Sequence, residues 1–134
     1  MQLEQIVAEW LAKAEMDLSS AMYLSKMKPL PKEIIGFHFQ QAIEKCMKSL
    51  FVYFNKEPPR IHNLLTLKQM LDEFISIPNI DISILAQLTP FAVEFRYPMQ
   101  IELEDQYVIE VLDNTSRLYE YFKVYILNIL YSNK

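Results

Sequence analysis

A single glycine, Gly36, is present in this chain of 134 residues. Globular proteins use glycine at about 7% of positions, mainly where tight turns, hairpins or phosphate-binding loops need a backbone that other residues strain to adopt. Because the chain has only one, it is predicted to be helical. It also cannot carry a P-loop or a dinucleotide-binding fingerprint, since each of these motifs needs more than one glycine. The common nucleotide-binding folds are therefore excluded.

The length and charge of the chain narrow its class further. A chain of 134 residues predicts one domain, spanning residues 1–134, with a core large enough to fold without disulfides or metal. Its 13 basic and 17 acidic side chains give a net charge of −4. This charge argues against the broad basic surface with which proteins bind nucleic acid, so no DNA partner is expected.

Three features of the sequence favour a cytoplasmic location. Cys46 is the one cysteine, so no internal disulfide can form, as is usual in a reducing compartment. The first ten residues contain two acids and no base, unlike a secretory signal. The longest largely apolar run, residues 124–130, is far shorter than the roughly 20 residues of a membrane-spanning helix. We therefore expect a soluble cytoplasmic protein without a membrane partner.

Prolines divide the chain into segments whose apolar residues recur with a helical period. The prolines stand at positions 29, 31, 58, 59, 78, 90 and 98. The segments predict three long helices and two shorter ones: Leu3 to about Met27, from after Pro31 to about Asn55, Asn63 to about Phe74, from the turn at Asn79 and Asp81 to about Pro98 with an interruption at Pro90, and Glu104 to Tyr131. Short connections between such helices favour an all-α, antiparallel bundle.

Asp17 is the one polar residue in the apolar stripe of the first predicted helix. The other members of this stripe are apolar: Leu3, Val7, Trp10, Ala14, Ala21 and Leu24. A carboxylate on a core-facing stripe costs several kcal/mol unless it is paired. Three alternatives follow. Asp17 pairs with a base on the neighbouring helix, belongs to a polar site built into the bundle, or lies at an exposed edge of the stripe.

The second predicted helix carries a polar row opposite its core stripe. His38, Gln41 and Lys45 stack at helical spacing, beside Glu44 and Lys48, which stand four residues apart and form an ion pair. Taken alone, this row is typical of a helix face that is exposed to solvent.

Apolar residues on the outer faces of two helices argue that these faces are covered. They lie outside the core stripes of the second and last helices: Phe37, Phe51, Val52, Val124, Leu127 and Tyr131. We interpret this set as a homodimer interface. The alternative is a buried position within one larger bundle.

Spacing alone indicates no catalytic chemistry, cofactor or metal. Two histidines and one cysteine are too few for an ordinary structural zinc site. Cys46 falls on the apolar stripe of the second helix and is interpreted as a core thiol. Ser19 and Ser20 lack the flanking glycines of a nucleophile elbow.

Four segments, taken together, are similar to one known family. They are Trp10–Leu18, Phe37–Leu50, Pro58–Leu64 with His62, and Arg96-Tyr97-Pro98. They resemble the HEPN domain, a name that stands for higher eukaryotes and prokaryotes nucleotide-binding. The resemblance covers about residues 5–130, and its most specific part is Phe37–Leu50. It implies an up-and-down bundle of four main helices plus one short helix, usually dimeric. It also implies a small protein acting beside a minimal nucleotidyltransferase, often as a toxin–antitoxin-like pair.

The ribonuclease motif of this family is absent in its standard form. Active members carry Arg, then four to six residues, then His, whereas the corresponding positions after Arg96 hold Ile101, Glu102 and Leu103. The chain therefore resembles the non-nucleolytic branch, whose proposed role is to bind a nucleotide or the partner enzyme. Two alternatives stay open: a ribonuclease that uses Arg96 with His38 or His62, and an interaction module without a ligand.

The candidate site follows from the chemistry of a nucleotide. The residues that we single out for nucleotide or partner binding are Asp17, His38, Gln41, Lys45, Arg96 and Tyr97. Arg96 can bind phosphate through two hydrogen bonds and Lys45 can add a point charge, while Tyr97 or Phe37 can stack on a base. Arg96 can equally form a structural salt bridge with Asp17. We predict that Asp17, His38, Lys45 and Arg96 form one cluster. We also predict that His62 anchors the connector before it, the segment with Pro58 and Pro59, to a helix end.

Overall fold

The computed structural model of the chain describes residues 2–94 and 103–132, with only the backbone for 93 and 94. Within these ranges the chain forms six helices: α1 Leu3–Leu24, α2 Lys32–Tyr53, α3 Leu64–Leu71, α4 Ile82–Leu88, α5 Phe91–Glu94 and α6 Asp105–Tyr131. No strand occurs in the same ranges, so the predicted all-α class is confirmed. None of these helices is both long and apolar enough to cross a bilayer.

The helix ends follow local sequence signals. Asn63, where this helix was predicted to begin, caps α3, because its side chain accepts a hydrogen bond from the backbone N–H of Thr66 at 3.1 Å. Asp81 caps α4 by accepting from the backbone N–H of Ser83 at 3.0 Å. The predicted interruption of the fourth helix at Pro90 is confirmed, because α4 ends at Leu88 and α5 begins at Phe91. Proline has no N–H with which to continue the helical hydrogen bonds. The predicted end near Pro98 lies outside the described residues.

Asparagine takes two positions that glycine usually fills. Asn55, with φ of 59°, follows the end of α2. Its N–H donates to the Val52 carbonyl at 2.9 Å, and the N–H of Lys56 donates to the Phe51 carbonyl at 2.8 Å, which together form a Schellman motif. Asn79, with φ of 63°, lies in the turn before α4. Asparagine adopts this left-handed conformation because its short polar side chain can form local hydrogen bonds.

α2 is the central helix of the bundle. α1 makes the most extensive contact with it, and α3, α4, α5 and α6 also pack against it. The side chains of α2 that are fully buried include Ile35, Phe39, Ile43, Met47 and Leu50. The chain's own helices therefore cover much of α2, which explains why apolar residues occur on more than one of its faces.

Phe51 was predicted to lie on an outer face of α2, but the structure buries it. Its side chain is 3% exposed, and its ring meets the ring of Phe74 edge-on, with 5.3 Å between the centroids. Phe74 lies just after α3, in a segment that folds back over α2. The periodicity of α2 cannot indicate this cover, because the covering residue comes from a distant part of the sequence.

The single glycine of the chain lies where α5 meets α2. A Cβ atom added at Gly36 would collide with the ring of Phe91, a side chain that is buried in the bundle. The bare backbone of Gly36 therefore makes room for an aromatic ring. Glycine serves helix packing here and not a turn.

The hydroxyl of Thr115 is a buried polar group on α6. It has no hydrogen-bond partner among the described residues, and its residue is 0% exposed. An unsatisfied buried hydroxyl costs about 1–3 kcal/mol.

We expect Thr115→Val to raise the free energy of unfolding by about 1 kcal/mol, measured by urea denaturation. Thr115→Ser, which keeps the hydroxyl and loses a methyl group, should lower it instead; a Thr115→Val variant less stable than the parent would contradict the prediction.

Candidate functional site

Asp17 lies between two basic side chains of the neighbouring helix. Its Oδ1 accepts a hydrogen bond from Nδ1 of His38 at 2.9 Å, and its Oδ2 forms an ion pair with Nζ of Lys45. The Asp17 side chain is 13% exposed. The first of the three alternatives for Asp17, pairing with a base on the next helix, is therefore confirmed. We call Asp17, His38 and Lys45 the Asp17 cluster.

The spacing of α2 explains why both partners reach the same carboxylate. His38 and Lys45 are seven residues apart, which is about two helical turns, so both side chains point from one face of α2. That face lies along α1, which presents Asp17 among its apolar residues. Arg96, the predicted fourth member of the cluster, and the binding candidate Tyr97 lie outside the described residues.

A shallow groove lies beside the Asp17 cluster. It has a volume of about 470 Å³ and is lined by Met16, Ser19, Ser20, Tyr23 and Leu24 of α1 and by His38 of α2. Tyr23 is 73% exposed and Met16 is 68% exposed, so apolar and aromatic surface faces solvent here. The volume falls within the usual range of small-molecule sites. We call this feature the α1–α2 groove.

His38 joins the cluster to the groove. Asp17 accepts a hydrogen bond from its Nδ1 atom, which orients the ring at the edge of the groove. The His38 ring also meets the ring of Phe37 in an edge-on arrangement, with 5.9 Å between the centroids. One ligand in the groove can therefore meet an imidazole, the hydroxyls of Ser19 and Ser20, and the ring of Tyr23.

A second set of polar side chains links the buried face of α2 to the connector between α2 and α3. Gln41 donates to the side-chain oxygen of Gln40 at 2.8 Å, and Gln40 donates to Glu44 at 2.8 Å and to the His62 carbonyl at 2.9 Å. Glu44 also accepts from Nδ1 of His62 at 2.9 Å and from Lys48 at 3.0 Å. We call these five residues the α2 polar network.

The α2 polar network corrects the prediction of a solvent-exposed row. The side chains of Glu44 and Lys48 are only 6% and 10% exposed, because the connector and α3 cover this part of α2. His62 anchors the connector as predicted, although to the middle of α2 and not to a helix end. Gln40, which is 0% exposed, was missed by sequence reasoning. The indication in the sequence was that this polar residue directly follows the core residue Phe39.

Comparison with known proteins identifies the family. The family model described as the HEPN domain matches residues 7–125. The chain belongs to the HEPN family. No curated protein and no solved structure matches the chain. The match confirms the family that the resemblance of the four segments predicted, a nucleotide-binding, ribonuclease-like family. Membership of its non-nucleolytic branch stays a prediction.

Two of the residues that were predicted to form a dimer interface are exposed on the HEPN bundle. Val124 is 54% exposed and Tyr131 is 60% exposed. Val52 and Leu127 are partly buried against the core, and Phe37 is half-buried. The exposed part of the predicted set is therefore concentrated on the C-terminal half of α6.

The thiol of the HEPN chain lies in the core, and the described His, Asp and Glu side chains do not gather into a metal site. Cys46 is fully buried, and this burial raises the pKa of its thiol far above the ordinary value, as expected of a core residue. Among the described residues, no group of three or more His, Cys, Asp or Glu side chains is placed to hold a metal ion.

Removal of the Asp17 carboxylate should destabilise the HEPN bundle. We expect Asp17→Ala to lower the free energy of unfolding by about 2 kcal/mol, because Lys45 and His38 lose a charged hydrogen-bond acceptor. Asp17→Asn should cost less, since the amide oxygen still accepts. Chemical denaturation measures both.

A matched control lies on the same helix. Glu15 forms an exposed ion pair with Lys123 at 3.3 Å, and Glu15→Ala should change the stability by less than about 1 kcal/mol. Equal stabilities of Asp17→Ala and the parent chain would show that the cluster contributes nothing to folding.

Proposed function

We propose that this HEPN protein is a dimeric accessory subunit that binds a nucleotide in the α1–α2 groove and acts beside a minimal nucleotidyltransferase in a toxin–antitoxin-like pair. The observation that carries the nucleotide part is the position of the Asp17 cluster at the edge of the groove. His38 belongs to both features. Fixed basic side chains therefore lie next to an exposed aromatic ring and two hydroxyls.

Each part of a nucleotide has a matching group in this region. The imidazole of His38 and the ammonium of Lys45 attract phosphate. Tyr23 offers a ring on which a base can stack, and Ser19 and Ser20 can exchange hydrogen bonds with sugar hydroxyls. Because Asp17 already holds His38 and Lys45 in place, binding requires little ordering of these side chains.

The dimer and the partner enzyme form the protein-binding part of the proposal. The exposed apolar side chains Val124 and Tyr131 on α6 support a contact with a second chain, since homodimer interfaces are more apolar than the rest of the surface.

Light scattering at micromolar concentration should give twice the mass of one chain. Val124→Glu should reduce that mass, and a monomeric parent chain would overturn the dimer. Co-purification with the product of a neighbouring nucleotidyltransferase gene tests the partner.

Calorimetric titration with AMP and ATP tests the nucleotide site. We expect binding by the parent chain, weaker binding by Lys45→Gln and by Tyr23→Ala, and unchanged binding by Lys68→Gln. Lys68 is a suitable control because it pairs with Asp72 on α3, away from the groove. Tyr23 is largely exposed, so its replacement should preserve the fold. If neither nucleotide binds at millimolar concentration, the nucleotide part of the proposal is wrong.

The isolated protein is expected to lack ribonuclease activity. The standard motif is missing after Arg96, which removes the acid–base group needed near a ribose 2′-hydroxyl. Incubation with single-stranded RNA should therefore give no cleavage above background, with or without divalent metal. Cleavage that is lost in His38→Ala, His62→Ala or Arg96→Ala would establish the alternative, a ribonuclease with a non-standard catalytic set.

A further inference from the structure

We infer that a second groove, between the connector and α3, is a docking site for an arginine-bearing segment of a partner protein. We call it the connector groove. It has a volume of about 330 Å³, and the described side chains that line it are separate from those that line the α1–α2 groove. The inference therefore goes beyond the proposed function and does not depend on nucleotide binding.

Apolar and aromatic side chains make up most of the lining of the connector groove. They are Phe51, Pro59, Met70 and Phe74. The ring of Phe74 meets the rings of Phe51 and Phe54 edge-on, with 5.3 Å and 5.5 Å between the centroids. These contacts hold the Phe74 ring in place, so an occupant meets an aromatic surface that needs little ordering.

The backbone of the connector is also restrained. The Schellman motif after α2 leads directly into Lys56, whose N–H donates to the Phe51 carbonyl at 2.8 Å. Pro58 and Pro59 then restrict φ at two consecutive positions. Glu57 lies between these restraints, so its place at the groove depends little on the arrival of an occupant.

The charged part of the lining is acidic in sum. Glu57 and Glu73 are exposed carboxylates, and neither forms an ion pair with another described side chain. Lys56 completes the charged residues of the described lining, so two carboxylates and one ammonium give it a net charge of −1. Together with the net charge of −4 of the whole chain, this favours a positively charged occupant.

Lys56 shows what kind of cation the connector groove accepts. Its ammonium lies over the ring of Phe74, 5.0 Å from the centroid, which is a cation–π contact. Arginine fits these features more completely, because its planar guanidinium stacks on an aromatic ring and forms two parallel hydrogen bonds with a carboxylate. Its methylene stem can cover Met70 and Pro59. A small free cation would leave this apolar surface uncovered, which favours a protein segment as the occupant.

A titration of the isotope-labelled protein with a short peptide, followed by NMR, tests this inference. The probe is a terminally blocked heptapeptide with one arginine between leucines, and its match carries uncharged citrulline in place of the arginine. We expect the arginine peptide to shift the amide signals of Glu57 and Glu73 and to bind about tenfold more tightly than the citrulline peptide, the effect of two partly exposed ion pairs. Absence of these shifts, or equal affinity for the two peptides, would overturn the inference and leave the proposed nucleotide site unaffected.

Two double variants separate the connector groove from the charge of the whole protein. Glu57→Gln with Glu73→Gln should weaken binding of the arginine peptide about tenfold, and both side chains are exposed, so the fold should be preserved. The control is Glu9→Gln with Glu110→Gln, which changes the net charge equally at exposed positions of α1 and α6. We expect unchanged binding by the control. Equal weakening in both double variants would overturn the inference.

Lys56→Gln distinguishes a groove for cations from a groove for anions. Removal of the ammonium frees the ring of Phe74 and takes away a charge of the same sign as the arginine. The arginine peptide should therefore bind about threefold more tightly to this variant than to the parent chain. Unchanged or weaker binding would show that the occupant does not take the place of the ammonium, and would overturn the inference.

Discussion

Replacement of Gly36 by alanine should lower the free energy of unfolding by about 2–3 kcal/mol, because overpacking a well-filled core typically has a cost of this size. The new Cβ atom would collide with the ring of Phe91, whose side chain is buried and cannot rotate away freely. The sign of this change in the free energy of unfolding tests the packing, since glycine to alanine inside an exposed helix stabilises a protein by about 1 kcal/mol. Urea denaturation followed by circular dichroism measures the difference.

A second substitution separates the clash from other effects of alanine. Phe91→Leu reduces the volume of the facing side chain, so Gly36→Ala should cost less in a Phe91→Leu background than in the parent chain. This non-additivity is expected for residues in direct contact. If Gly36→Ala is neutral or stabilising in the parent chain, then α5 does not pack on α2 as the structure describes.

Glu44→Ala should have the largest effect, a loss of about 3–5 kcal/mol, which is the usual cost of breaking a buried ion pair from one side. The carboxylate accepts hydrogen bonds from Gln40, His62 and Lys48. Its removal leaves the ammonium of Lys48, 10% exposed, without its partner. The fluorescence or circular dichroism of a urea titration reports the loss.

Two further variants define what the pair contributes. Glu44→Leu combined with Lys48→Met should recover much of the stability lost in Glu44→Ala, because apolar residues can replace a buried ion pair at little cost. The control is Asp72→Ala. Asp72 and Lys68 form a pair of the same four-residue spacing at 2.5 Å, but Asp72 is 50% exposed, so the loss should be below about 1 kcal/mol. Similar losses in Glu44→Ala and Asp72→Ala would contradict the burial of the network.

The sequence indicates those parts of the fold that depend on neighbours along the chain. Prolines and the apolar period predict the long helices to within a few residues, and Asn63 and Asp81 mark helix starts because a cap acts over three residues. The pairing of Asp17 was also among the predicted alternatives. A lone acid on an apolar stripe requires a partner, and His38 and Lys45 stand at the spacing that supplies two.

The features that the sequence could not indicate depend on which segments pack together. Glu44 and Lys48 have the pattern of an exposed ion pair, and only the cover provided by the connector makes them buried. The burial of Phe51 likewise depends on Phe74, 23 positions away in the chain. Gln40 could not be assigned a role because its partners include a backbone carbonyl, which no side-chain pattern reveals. The α1–α2 groove was also missed, since its shape arises from the packing of two helices.

The two asparagines with left-handed backbones have a consequence for the unfolded chain. Glycine at such positions loses more backbone freedom on folding than other residues do. A residue with a side chain restricts the unfolded ensemble, by an amount worth about 0.4–1 kcal/mol where it adopts the folded conformation without strain. With Asn55 and Asn79 in these positions, the chain changes direction there without glycine. Its unfolded ensemble therefore contains fewer backbone conformations. Part of its stability therefore resides in the entropy of a state in which none of the contacts described above exists.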